Sequence, residues 1–375
     1  MARKRNIQFL KPQLLPLSSY QEDFETIIDT GVITNSGPYE HELTDKAAAF
    51  LGGEVQCVAV SNCTTGLMLA LKALAEGKRG ANKVVVPSFT FPATALAVEW
   101  CNLEPVFVDI DPKIWAMELS QDLERNIRSR SAEFVAFLLV NPLGAPANVK
   151  PWEELTEETG IPLIIDSAAG FGASYEDGSS VGTKGTCEIF SLHATKSFAV
   201  GEGGLIATKD RNLALALNSM KNFGLDQEMN TRLPGLNGKM PEMLCAIAVR
   251  TLERLSAIID KRRAIAAAYH RHLEPLGFKF QQNGTLSTYP FVPVLVPEDY
   301  TRDEIFDCSL ASGTALRKYY YPLHRQPYFA DVERMGRLTV TESISDQILS
   351  LPMRNDLSSV EIEFIASVIS GSKGT

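Results

Sequence analysis

The sequence predicts an α/β protein: a large domain with a mostly parallel sheet, followed by a smaller α+β domain. Three observations carry this. From about Glu54 to Ala207, short runs of Val, Ile, Leu and Phe alternate with helix-like segments, the pattern of strands covered on both faces. That alternation stops at a helical stretch over Pro241–Leu273, where Met243, Ala246, Val249, Leu252, Leu255, Ile258 and Ile259 recur at helical spacing. The length, 375 residues, exceeds one ordinary domain.

Taken in order, Cys57–Val60, Lys83–Val86, Pro105–Val108, Phe134–Val140 and Pro162–Ile165 read as buried strands. Thr65–Ala75, Ala93–Cys101 and Trp152–Thr159 read as the helices between them. Phe190–Leu192 and Gly204–Ala207 are two further strands, separated by a turn that ends in the Gly-rich Gly201–Gly204. The long helical stretch then crosses between structural units, which places the large domain at 1–250, with an N-terminal arm, and the smaller one at 251–375.

Composition excludes several classes. With 45% hydrophobic and 22% charged residues, 26 Gly and 20 Pro, the chain is neither disordered, collagenous nor a disulfide scaffold. Its 36 Lys+Arg against 45 Asp+Glu leave a net charge of −9, which argues against a nucleic-acid surface. The basic cluster Arg3-Lys4-Arg5 reads as a frayed, solvated terminus. Six scattered cysteines without a C-x-x-C pair suit reduced thiols, with no zinc or other metal site. Met1–Ser19 has no long apolar run and no stretch could span a membrane, so a cytoplasmic protein is expected.

Four segments carry candidate chemistry, each beside a predicted strand. Ser61-Asn62-Cys63-Thr64-Thr65-Gly66 places small hydroxyl residues at a helix start, which offers N–H groups and a positive dipole end to an anion, or simply caps the helix. Asp166 directly follows the run Leu163-Ile164-Ile165, at the sheet edge where open α/β sheets bind ligands. It suits a helix cap, a partner for a buried base, or a carboxylate that keeps a heterocyclic nitrogen protonated. Lys196, in Ser191-Leu192-His193-Ala194-Thr195-Lys196, sits among small residues before Gly201-Glu202-Gly203-Gly204. Lysine is usually a solvated charge, but an amine desolvated in such a place has a depressed pKa and can form a Schiff base. His193 is either a packing histidine or a site residue. Phe91, in Pro87-Ser88-Phe89-Thr90-Phe91-Pro92-Ala93-Thr94, is either core or a platform for a flat ring.

Together these segments resemble one family, the DegT/DnrJ/StrS sugar aminotransferases, which are pyridoxal-phosphate enzymes of fold type I. The resemblance runs from Thr34-Asn35-Ser36-Gly37-Pro38 through Phe107-Val108-Asp109-Ile110-Asp111 and the lysine segment with its Gly-Glu-Gly-Gly partner. It continues through Gly235-Leu236-Asn237-Gly238-Lys239-Met240 to Tyr319-Tyr320-Tyr321-Pro322-Leu323-His324. It implies that Lys196 carries pyridoxal phosphate in Schiff-base linkage and shuttles the proton while the cofactor cycles through pyridoxamine phosphate. It implies that Asp166 pairs with the ring nitrogen, that Phe91 stacks on the ring, and that Thr64, Thr65 and Ser191 hold the phosphate. Asn237 would reach the phosphate from a partner subunit, which makes the protein a homodimer with shared active sites. Two positions depart from the family pattern: Ala169 stands where many members have Gln, and Lys239 where Arg is usual.

The resemblance further implies amino transfer from L-glutamate to a nucleotide-linked keto-deoxysugar, with His193, Arg317, Lys318, Tyr319 and Tyr321 as candidate substrate contacts. Basic residues snorkelling from a strand edge are the other reading of 317–321. The stretch Leu316–Pro322 resembles members acting on dTDP-4-keto-6-deoxyglucose, and Phe171, where many relatives carry His, is compatible with that group; a 4-amino-4,6-dideoxy product is therefore expected over amination of a 3-keto isomer. Relatives that dehydrate sugars replace the lysine by histidine, so Lys196 argues against that chemistry. A non-catalytic regulatory member is disfavoured by the intact Lys196 and Asp166. A nicotinamide oxidoreductase lacks its G-x-G-x-x-G, which Ser61–Gly66 does not supply.

Overall fold

Residues 6–78 and 80–371 are described by the computed structural model, so the Arg3-Lys4-Arg5 cluster lies outside the described residues. Two helices, α1 (Gln21–Thr30) and α2 (Pro38–Phe50), precede the first strand. The chain then alternates through β1 (Gln56–Val60), α3 (Cys63–Ala75), β2 (Lys83–Pro87), α4 (Pro92–Trp100), β3 (Glu104–Val108), α5 (Gln121–Ser129), β4 (Phe134–Val140), α6 (Lys150–Thr159) and β5 (Leu163–Asp166). Two strands, β6 (Cys187–Ser191) and β7 (Gly204–Thr208), complete a seven-stranded sheet of order β1-β7-β6-β5-β4-β2-β3. Only β7 runs against its neighbours. The apolar runs that predict the strands are buried because helices cover both faces, and every residue of β4, β5, β6 and β7 is buried.

β6 begins three residues before the predicted Phe190 and ends one residue before Leu192. Glu188 interrupts its apolar run, which hides the true start from a hydrophobicity reading. The predicted single helix over 241–273 is two: α7 (Arg211–Met220) is followed by α8 (Glu242–Leu252) and then α9 (Leu255–Leu273). Both keep the same apolar periodicity, so periodicity does not register the break. The break at 253–254 lets the two halves choose different partners, α8 packing on α2 and α9 on the last helix. Glu242 opens α8 and accepts from the Tyr39 and Glu40 amides at 2.8 and 2.9 Å, which caps α2 from across the fold.

Beyond α9 a second sheet forms from β8 (Lys279–Phe280), β9 (Val292–Leu295) and, after α10 (Arg302–Ala311) and α11 (Thr339–Gln347), β10 (Ile348–Leu351). The last helix, α12 (Ser359–Ser370), starts with a capping box made by Ser358 and Glu361. A third apolar cluster gathers this sheet with α9, α10 and α12, and it takes in Ile7 and Phe9 from the N-terminal arm. Phe89, Ile110, Trp115 and Leu143 join it from the first sheet's loops, so the two sheets share packing. No helix is long and apolar enough to cross a membrane.

One close approach fixes how β7 meets the start of α3. A Cβ on Gly204 would stand 2.7 Å from the Asn62 carbonyl carbon and 2.9 Å from the Cys63 nitrogen, both backbone atoms. Gly204→Ala is therefore expected to lower stability by about 1–3 kcal/mol, the cost of overpacking a rigid contact. Thermal denaturation checks it; Gly204 holds no positive φ, so the loss reads the close contact and not backbone strain.

Candidate active site

The carboxyl ends of β1, β2, β4, β5 and β6 meet at one edge of the sheet, since β1 runs antiparallel to β7 and β7 antiparallel to β6. Register aligns the chemistry there: Asp166 pairs with Val140 on one side and Ile189 on the other, and Gly204 faces both Val60 and Ser191. A cavity of about 670 Å³ opens above this edge. It brings together eight of the predicted site residues: Thr64, Thr65, Phe91, Asp166, Ser191, His193, Lys196 and Tyr319.

Asp166 is buried, only 5% exposed. Its carboxylate accepts from the Thr94 hydroxyl at 2.8 Å and the Ala168 amide at 3.1 Å, with the Cys63 thiol at 3.9 Å. All three donors are neutral, and among the described residues Asp166 forms no ion pair. Burial consequently pushes its pKa above the ordinary carboxylate range, against the pull of those hydrogen bonds. An acidic group left this way favours a cationic N–H partner.

Lys196 is set by a tight turn that returns on itself. Its amide donates to the His193 carbonyl at 2.9 Å, Ala194 N–H to Gly201 O at 2.9 Å, and Leu192 N–H to Gly203 O at 2.8 Å. Gly201 holds φ at +113°, which a side chain rarely adopts, so the Gly-rich run is a requirement of this turn. Burial lowers the Lys196 pKa, with Cys63 and Asp166 pulling it back. The amine is thereby biased toward its neutral, nucleophilic form.

The phosphate candidates surround the start of α3. Asn62 caps the helix by accepting from the Thr65 amide at 2.8 Å, and Ser61 donates to the Thr65 hydroxyl at 3.1 Å. Thr64, Thr65 and Ser191 line the adjoining wall. Phe91 is 57% exposed, so its ring face is presented to the cavity rather than spent on the core. At the mouth, His193 lies 3.6 Å from Glu202 and 2.9 Å from the Thr195 hydroxyl.

The remaining predicted residues do not line this cavity. Lys318 pairs with Asp303 at 2.7 Å and sits over the Phe306 ring, while Arg317 lies over Phe9. Tyr321 is exposed and turned toward the Arg325 carbonyl. Asn237 is exposed on a loop bridged to Asn222. Lys239 donates to Asn222 at 2.8 Å, and Phe171 is buried among Phe50, Phe190 and Phe198, away from the cavity.

Sequence reasoning missed Tyr320, Asn141, Thr94 and Cys63. Tyr320 lines the cavity between Tyr319 and Phe89, although neighbouring tyrosines in a loop carry no sign of which one points inward. Asn141 lies one residue past β4, in the same position relative to its strand as Ser167 to β5; that placement was a usable signal.

Comparison with known proteins places the chain in a family. Residues 18–370 match the sequence profile of the DegT/DnrJ/EryC1/StrS aminotransferase family. The chain belongs to this family. The protein Rv3402c of Mycobacterium tuberculosis is 32% identical over 370 residues, 97% of this chain and 89% of that one. A dTDP-4-amino-4,6-dideoxy-D-glucose transaminase of Shigella dysenteriae is 31% identical over 367 residues, 96% of this chain and 97% of its own length. Among solved structures, DesI in the presence of its TDP-sugar product superposes with a TM-score of 0.88 at 28% identity, covering 98% of this chain and 93% of DesI.

As a member of the DegT/DnrJ/EryC1/StrS family the chain is an aminotransferase that uses pyridoxal phosphate. The residues present fit that cofactor. A buried carboxylate whose hydrogen-bond donors are all neutral suits a protonated ring nitrogen, the start of α3 suits a phosphate, the open face of Phe91 suits the ring, and the desolvated Lys196 suits its aldehyde.

On the other face of β5 lies a second buried carboxyl. Glu188 accepts from Ser167 at 2.7 Å, Tyr175 at 3.0 Å, and the Gly182 and Lys184 amides at 2.7 and 3.0 Å. Asn141 donates onward to Ser167 at 2.9 Å, which ties the cavity wall to this network. Burial raises the Glu188 pKa to about 7 despite the donors. The folded chain then holds this proton more tightly than the unfolded chain. The stabilisation is full at low pH and is lost as pH climbs from the unfolded value to about 7, by on the order of 3 kcal/mol. Glu188→Gln, whose amide can donate to the two hydroxyls, is expected to flatten the fall in melting temperature between pH 5 and 8. An unchanged slope in that variant would contradict the assignment.

Proposed function

We propose that this aminotransferase moves the amino group of L-glutamate onto the keto carbon of a nucleotide-linked 4-keto-6-deoxy sugar, yielding a 4-amino-4,6-dideoxy sugar. The observation that carries the amino-transfer chemistry is Lys196, with its lowered pKa, sharing one cavity with the buried Asp166. Support for the sugar comes from the named transaminases of Shigella dysenteriae and Escherichia coli and from DesI with its TDP-sugar product. The substrate we favour is dTDP-4-keto-6-deoxyglucose.

When bound, pyridoxal phosphate supplies an electron sink for the carbon that loses its proton. The chain supplies the rest. Asp166 keeps the proton on the ring nitrogen. Thr64, Thr65, Ser191 and the amides at the start of α3 anchor the phosphate. Phe91 covers one ring face. Lys196, biased by burial toward its neutral form, would take the proton from the substrate carbon onto Nζ and later give it back. Tyr319 and His193 line the side where the hexose would enter.

Lys196→Ala is expected to abolish transamination, a loss of at least about 10³-fold by the usual weight of a positioned base and nucleophile, in a protein that still unfolds cooperatively. Incubation with glutamate and each keto-sugar in turn, followed by NMR location of the new C–N bond, checks the whole reading. Parental turnover in the variant would refute the role of Lys196, and amination confined to the 3-position would refute the choice of sugar.

We further infer a cytoplasmic homodimer in which Asn237 completes the phosphate site of the other subunit. Asn237 shares its surface with the exposed Phe223 and Met229, apolar groups that a second copy would cover. Sedimentation of active enzyme is expected to show a dimer, and mixing Lys196→Ala with Asn237→Ala subunits should recover one working site per mixed dimer. An active monomer would exclude the shared site.

A further inference from the structure

A second cluster lies just behind the cavity wall. His324 is buried, and its Nδ1 stands 2.7 Å from the Ser88 hydroxyl while its Nε2 stands 3.1 Å from a Glu342 carboxylate oxygen. The His324 amide donates to the Ser88 hydroxyl at 3.2 Å, and the Leu323 amide to the Ser88 carbonyl at 3.0 Å. Four hydrogen bonds thus join three separate stretches of chain: the residue after β2, the segment 323–324, and α11.

The order serine, histidine, carboxylate is that of a hydrolytic triad. Two facts rule that use out. Ser88 is fully buried, so no substrate carbonyl can approach it, and its own amide is spent on the Val108 carbonyl at 3.2 Å. Burial also holds the imidazole below its ordinary pKa, which favours the neutral ring. A neutral ring satisfies every group at once: Nε2–H donates to Glu342, and Nδ1 accepts from the Ser88 hydroxyl.

What the cluster holds is the cavity wall. Ser88 is followed directly by Phe89, whose ring meets Tyr320 edge-on at 5.4 Å. Tyr320 and Tyr319 both line the cavity, and both lie within five residues of His324. Tyr319 packs in turn against Phe9, edge-on, and Phe291, tilted. Further polar ties hold the loop to either side of the two rings: Arg317 exchanges backbone bonds with Ser350 at 3.1 and 2.7 Å, and the Gln326 side-chain amide donates to the Tyr321 carbonyl at 3.2 Å. Pro322 stiffens the short link between wall and anchor.

We propose that Ser88, His324 and Glu342 form a latch that fixes the Tyr319–Tyr320 wall against the sheet edge, with His324 as a positioning residue for the sugar side of the cavity. The latch touches neither Lys196 nor Asp166, so it acts on where the acceptor sits and not on cofactor chemistry. The statement about the acceptor rests on the proposed function; the statement about the wall does not.

Hydrogen exchange of the peptide spanning 316–326, read by mass spectrometry on the full-length holoenzyme, separates the two. Ser88→Ala removes both the acceptor of the His324 amide and the hydroxyl on Nδ1. In it the His324 amide is expected to exchange at least about tenfold faster, the weight of a lost buried hydrogen bond. The Leu323 amide, whose Ser88 carbonyl acceptor remains, is expected to follow to a smaller degree. Glu342→Ala, at a half-exposed position that does not threaten folding, is expected to give a smaller acceleration in the same peptide. His324→Asn, which keeps an acceptor near the place of Nδ1, should protect better than His324→Ala. In Ser88→Ala the KM for the keto-sugar should rise about tenfold with a smaller change in kcat, and the visible absorption of bound pyridoxal phosphate should not move. Unchanged exchange in both Ser88→Ala and Glu342→Ala overturns the latch. Faster exchange with an unaltered KM overturns its role in placing the sugar. Faster exchange in a protein whose unaltered form aminates no keto-sugar leaves the latch standing and removes the proposed acceptor.

Discussion

A carboxylate buried at the end of a parallel strand, with only neutral donors around it, is the constraint on which the rest of this site depends. Asp166 cannot move into water, because β4 and β6 flank it in register and the Thr94 hydroxyl and Ala168 amide hold its oxygens. Its unmet preference for a positive partner defines what the cavity above it can bind. The start of α3 would then offer its amides to an anion, and Phe91, exposed beside the cavity, would offer a face to a ring between the two. A ligand that offers a protonated ring nitrogen at one end and a phosphate at the other satisfies all three conditions.

Holding Lys196 in reach of that ligand requires backbone that few sequences can adopt. The segment from Leu192 to Gly204 folds back on itself through its backbone hydrogen bonds, uses a positive φ at Gly201, and meets the Asn62 backbone at Gly204. A segment from the second sheet's side braces it: the Ser197 hydroxyl donates to the Thr288 carbonyl at 2.9 Å, and the Thr288 hydroxyl donates to the Ala169 carbonyl at 2.6 Å. One residue thereby ties the floor of the cavity to the lysine turn. The shared apolar cluster, which takes Phe89 and Leu143 from the first sheet, reinforces the same junction.

These features oppose stability. Asp166, Glu188 and Lys196 are each desolvated in a way that disfavours their charged forms. The surrounding fold offsets that cost through a sheet buried on both faces and through networks such as Asn141–Ser167–Glu188–Tyr175, where every strong donor finds an acceptor. Stability and chemistry thus draw on adjacent residues of the same strands: Ser167 serves the network beneath β5 while Asp166, its neighbour, serves the cavity above it.

Much of this was determined by the sequence alone. Continuous apolar runs announced β1 to β5 because strands covered on both faces need no polar residues, and Asp166 stood out as the first polar group after such a run. Lys196 before a Gly-rich turn was equally legible, since only that turn needs so many small residues. The start of β6 was not, because a buried Glu188 looks like an exposed one until its four donors are known. Nor was the break between α8 and α9, where periodicity persists through two helices with different partners. Which tyrosines of 319–321 face the cavity, and that Arg317 and Lys318 turn to Phe9, Asp303 and Phe306, was decided only by tertiary structure. A loop side chain has no period to fix its direction, and its orientation follows from contacts with other elements, from Asp303 and Phe306, fifteen and twelve positions before Lys318, to Phe9, about three hundred before Arg317.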